Sequence, residues 1–108
     1  IGQGRAAELL LTGRAMDAAE GLACGFFNRV VDHGALFADA GAWARSLADG
    51  PTLAHAVTKA LLHQAWALEL DAEIEAEAQA QARLMQTEDF RRAYRAFASR
   101  TKPRFEGN

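Results

Sequence analysis

Glycine and proline cut this chain into short runs. Within each run the apolar residues recur at helical spacing, in stripes too thin to close a core by themselves. Leu36, Ala40, Trp43, Ala44 and Leu47 follow the order of one helical face. Asp49, Gly50 and Pro51 end that helix, and Pro51 suits the first turn of the next. The next helix reads as residues 53–68 and is apolar at Leu53, Val57, Ala60, Leu61 and Leu68. A third long helix reads as residues 71–86. Its apolar stripe is Leu70, Ile74, Ala78 and Met85, and Glu73, Glu75 and Glu77 read as a solvated side. Thr87 can cap a last helix, with Glu88 and Asp89 favouring its N-terminus. Phe90, Tyr94 and Phe97 follow at helical spacing, and Phe90 and Tyr94 read as core. Residues 102–108 read as a tail.

The front of the chain is more broken. Residues 6–11 are helical in propensity, with Gly13 as the stop, and Gly2 and Gly4 read as the finish of a preceding loop. Asp17 and Glu20 have the spacing of a capping box that opens a short helix, and Gly25 ends it. Residues 26–31 are apolar and partly β-branched, which predicts one short extended segment, and His33-Gly34 is a turn. The expected fold class is therefore mainly α, an irregular helical array with one extended segment. Helices this thinly apolar usually need partners.

Composition excludes more than it selects. A chain of 108 residues fits one domain with a modest core. A net charge of −2, spread along the sequence, supplies no field for nucleic acid or an anionic membrane. No apolar run approaches the ~20 residues of a membrane span. Arg5 and Glu8 interrupt any signal-peptide core, and the absence of an initiating Met fits a fragment or processed chain. Cys24 stands alone and reads as a small buried filler, which suits a reducing, cytoplasmic location.

The usual catalytic constellations do not assemble from the sequence. His33, His55 and His63 lack metal-ligand spacing, so neither a metal nor a cofactor is expected. No Ser lies near a His and an acid in a triad motif. No Gly-rich loop offers converging backbone donors. What remains is the basic end, Arg91, Arg92, Arg95, Arg100, Lys102 and Arg104, interleaved with Phe90, Tyr94, Phe97 and Phe105. Such a pattern suits an anion, including RNA. The acid-rich helix before it argues against nucleic acid.

Two stretches carry a family likeness. Leu9, Leu10, Leu11, Thr12 and Gly13, then Ala19, Glu20 and Gly21, then residues 25–31 with Asn28, Arg29, Val30 and Val31, form the first. Ala96, Phe97, Arg100, Lys102, Pro103 and Phe105 form the second. In this order and at these distances they resemble the C-terminal third of the enoyl-CoA hydratase/isomerase (crotonase) family. The resemblance implies that residues 1–108 are the helical C-terminal domain, giving subunit contacts and the lip of a coenzyme A site. The catalytic core, a ββα superhelix with the oxyanion donors and acids, would then lie upstream. It implies no catalytic residue in this chain. It makes Phe97 and Arg100 the candidate pair for the adenine and 3′-phosphate of coenzyme A; the competing reading has Phe97 in the core and Arg100 merely solvated. It further implies a homo-oligomer, trimer-based in the full-length protein, acting most often as a hydratase of trans-2-enoyl-CoA. The alternatives are another branch of the family (isomerase, dehalogenase or hydrolase) and a free-standing helical interaction module.

Overall fold

The computed structural model describes every residue from Ile1 to Asn108. The chain is mainly helical: α1 (Gln3–Thr12), α2 (Ala18–Ala23), α3 (Leu36–Ala48), α4 (Thr52–Gln64), α5 (Leu70–Leu84) and α6 (Glu88–Ala98), with a 3-10 turn at His33–Ala35. No strand forms: residues 26–32 hold no regular structure, because nothing in the chain pairs with them. Two compact units emerge, Ile1–Ala40 and Gly41–Asn108, and the division falls within α3.

In the first unit, α1 begins at Gln3 rather than Ala6, so Gly4 lies inside the helix rather than in a loop. Gly13 stops it in the left-handed region (φ 62°), and its amide donates to Leu9 O. The Asp17 carboxylate caps α2 by accepting from the Glu20 amide at 2.7 Å. The capping box is one-sided, however. Instead of reaching back to Asp17, the Glu20 carboxylate turns to the Arg14 guanidinium, with bonds of 2.8 and 2.5 Å. Arg14 also reaches Glu8 at 2.8 Å. The hydrogen bond from Arg14 is the main cause of a Glu20 pKa below the usual carboxylate range. Gly21 is buried because the ring of Phe27 occupies the space of its missing Cβ: an added carbon would collide with Phe27 Cδ2. Cys24 is half-buried, its sulfur 3.5 Å from Gly21 O.

In the second unit, Pro51 precedes α4 as expected, but α4 ends at Gln64, short of Leu68. No glycine or proline marks that stop; the chain turns through residues 65–68 with Trp66 96% exposed. α4 packs against α5, and the face that α5 buries is not the predicted one. Leu70, Ile74 and Met85 are exposed, whereas Ala80 is 2% exposed and Ala76 and Leu84 are half-buried. Small residues let the two helices approach, and this seam lies to one side of the large apolar residues that periodicity weights most. Glu73 lies on the α4 side as well, so it is not part of a solvated face.

Very little is buried. Among hydrophobic residues only Ala80 and Ala96 are buried, and no large side chain is fully enclosed. Part of the predicted stripe of α3 stands in solvent: Leu36 is 50% and Leu47 51% exposed.

Candidate functional site

The basic-aromatic end is built by α6 and the segment that follows. Thr87 caps α6 by accepting from the Phe90 amide at 3.2 Å, and its hydroxyl donates to Leu84 O at 2.7 Å. Glu88 and Asp89 occupy the first turn, where a negative charge meets the positive end of the helix dipole. Phe90, Tyr94 and Phe97 form one stripe, but none is core. Tyr94 is 68% exposed and Phe97 is 85% exposed. The burial predicted for Phe90 and Tyr94 is not realised: Phe90 is 41% exposed and Tyr94 stands in solvent.

Residues 102–108 are not a loose tail. They return to the start of α6 and are clasped there. Asp89, 3% exposed, accepts from the amides of Glu106 (2.9 Å) and Gly107 (2.8 Å) and from Arg92 (2.7 Å). The Asp89 amide donates to Asn108 O at 2.9 Å. Arg92 donates onward to Asn108 Oδ1 (2.6 Å) and Glu106 Oε2 (3.0 Å). Burial by itself would raise the pKa of Asp89. The two amides and the guanidinium outweigh it and hold the carboxyl below its usual range. Phe105 is thereby seated against Pro51, Leu53, Leu84, Phe90 and Ala93, around an apolar cavity of about 200 Å³. The sequence signal for this clasp was an acid at the second helical position with an Arg three residues on. That pattern is indistinguishable from an ordinary capped helix until the return segment is seen.

The two predicted site residues meet at the other end of α6. The amide of Arg100 donates to Phe97 O (3.1 Å) and that of Thr101 to Ala96 O (2.9 Å), the paired bonds of a Schellman ending. This ending requires a left-handed residue, and Arg100 takes it with φ 54°. α2 ends in the same way, through Gly25 to Leu22 O and Phe26 to Gly21 O, but there the left-handed residue is glycine (φ 77°). Arg100 is the one non-glycine residue of the chain at positive φ, and its guanidinium makes no hydrogen bond or ion pair. A cation without a partner and an uncovered aromatic ring therefore belong to the same last turn, three residues apart, joined through the Arg100 amide and Phe97 O. Such a pair can accept a flat ring against Phe97 and an anion against Arg100.

A family model described as enoyl-CoA hydratase/isomerase matches residues 1–108. The chain belongs to the enoyl-CoA hydratase/isomerase family. Among curated relatives, mevalonyl-coenzyme A hydratase of Aspergillus fumigatus is 33% identical over 107 residues, which cover 97% of this chain and 40% of that protein. Among solved structures, a Streptomyces coelicolor A3(2) chain assigned as an enoyl-CoA hydratase superposes with a TM-score of 0.96 at 38% identity, covering 100% of this chain and 39% of that one. An enoyl-CoA hydratase from Mycobacterium marinum superposes with a TM-score of 0.90 at 28% identity, covering 100% and 43%. The chain thus spans about 40% of the length of the family members it matches. That share agrees with the likeness to the helical C-terminal part of a crotonase. No helix is long and apolar enough to cross a membrane.

Proposed function

We propose that this chain is the helical, non-catalytic end of an acyl-CoA enzyme, and that Phe97 and Arg100 border its coenzyme A site. The full-length protein hydrates a trans-2-enoyl-CoA thioester. The observation that carries this reading is Arg100. A left-handed conformation costs an ordinary residue about 1–2 kcal/mol, and glycine meets the same need at the end of α2. Keeping Arg at such a position has a reason if its guanidinium binds something. An unpaired guanidinium and an exposed aromatic ring on one helix end suit a nucleotide with a free phosphate. The hydratase names of the relatives support the thioester and the reaction, and the family contains isomerases too.

The test uses the full-length protein. Arg100→Ala raises KM by up to about tenfold at nearly constant kcat, the signature of a contact made equally in ground and transition states. Thioesters of dephospho-coenzyme A, which lack the 3′-phosphate, do not respond to the substitution. Equal losses on both thioesters would assign Arg100 to the fold and sink the reading.

A further inference from the structure

The left-handed turn at the end of α6 is held from both sides. Ser99, the residue before Arg100, donates its hydroxyl to Arg95 O at 2.7 Å, and its amide reaches the same carbonyl at 3.0 Å. Thr101, the residue after, has its hydroxyl 3.1 Å from that of Ser99. A serine hydroxyl carries one proton and two lone pairs. That proton goes to Arg95 O, so between the two hydroxyls Thr101 donates and Ser99 accepts. Two linked hydrogen bonds therefore tie Thr101 through Ser99 to α6, and in sequence they span Arg100.

The other left-handed helix ends supply the comparison. α2 closes with the same backbone: Cys24 has φ −93° and ψ 1°, where Ser99 has φ −93° and ψ 2°. Its left-handed residue is Gly25, and the flanking Cys24 and Phe26 have no hydroxyls to link. α1 closes on Gly13. Thr12 before it donates to Glu8 O at 2.7 Å, but Arg14 after it has no hydroxyl to complete a bridge. The two glycine endings thus lack the bridge, and the ending built on a residue with a side chain has it. Glycine needs no such support, because it enters the left-handed region without a steric penalty; arginine does not.

The consequence falls on the guanidinium. Ser99, Arg100 and Thr101 are all exposed, so buried packing does not hold this turn. Relaxation of residue 100 into the right-handed or extended region would turn its Cα–Cβ bond and carry the side chain to a new direction. We propose that Ser99 and Thr101 are positioning residues: their hydroxyl bridge holds Arg100 in the left-handed conformation and so aims its guanidinium. The target of that aim, the coenzyme A phosphate, rests on the acyl-CoA reading; the bridge itself does not.

Two substitutions in the full-length protein test it. Thr101→Val keeps the shape of the side chain and deletes the hydroxyl, whereas Thr101→Ser keeps the hydroxyl. Amide hydrogen exchange at Arg100 and Thr101, corrected for intrinsic rates and measured without substrate, reads the turn. Thr101→Val speeds it about fivefold, and Thr101→Ser leaves it unchanged. Kinetics read the aim. Thr101→Val raises KM for a coenzyme A thioester about threefold at constant kcat, leaves KM for the dephospho-coenzyme A thioester unmoved, and adds nothing to Arg100→Ala. Thr101→Ser behaves as the unsubstituted protein. Unchanged exchange in Thr101→Val overturns the bridge. Faster exchange with KM unmoved, in a protein where Arg100→Ala does raise KM, overturns the aim. So does a KM rise that persists on top of Arg100→Ala, since Thr101 would then act without Arg100. If Arg100→Ala moves KM on neither thioester, the acyl-CoA reading fails and the aim with it, and the exchange rates still decide the bridge.

Discussion

At the scale of single residues, Arg100 carries most of the functional argument, and it can be made to answer two questions at once. Arg100→Gly keeps the Schellman ending and removes the left-handed penalty. Part of that gain is returned through the greater freedom of glycine in the unfolded chain, which leaves a stabilisation of roughly 0.5–1 kcal/mol. The same substitution removes the guanidinium, so substrate binding weakens as it does in Arg100→Ala. A thermal melt showing higher stability, together with a raised KM, is the expected outcome. Lower stability in Arg100→Gly would mean that the side chain holds the fold. The identities of Phe97 and Arg100 as a candidate pair were legible in the sequence through the family likeness alone. The backbone conformation that sets Arg100 apart was not, because nothing local announces a non-glycine residue at positive φ.

At the scale of elements, the helices were legible and their faces were not. The turn at Asp49, Gly50 and Pro51, the Thr87 cap and the Gly13 and Gly25 stops all act through local chemistry, and each stands where the sequence places it. The buried side of α5 depends on what α4 brings to it, and there Ala80 was chosen over Ile74. Ala80→Leu should therefore force α4 and α5 apart and cost about 1–3 kcal/mol in denaturant unfolding; a neutral result would mean the seam is loose. The return segment offers a pH test. The folded pKa of Asp89 is depressed, so its contribution is present above the unfolded value of about 3.9 and is lost as pH falls through the folded value. Hydrogen exchange corrected for intrinsic rates should show protection of the Glu106 and Gly107 amides at neutral pH. That protection should fade in strong acid before α4 opens. Protection that persists unchanged while Asp89 is protonated would show that the clasp does not depend on its charge.

At the scale of the whole molecule, the chain shows more uncovered apolar surface than its own helices can hide. Trp66, Phe37, Leu10 and Leu11 stand far into solvent, and Leu36 and Leu47 of the α3 stripe are half exposed. A sequence read by itself can show that stripes are thin. It cannot show what lies over them when the covering atoms belong to other residues. The same reasoning applies to chemistry. On the proposed reading, the basic-aromatic end borders a nucleotide and a phosphate. That proposal gives binding to residues 1–108 and catalysis to the remainder of the full-length protein. The most direct measurement follows the enone absorbance of crotonyl-CoA with two purified samples, the full-length protein and residues 1–108 alone. The account predicts rapid loss of absorbance with the first and the uncatalysed rate with the second. Turnover by residues 1–108 alone, or none by the full-length protein, would contradict it.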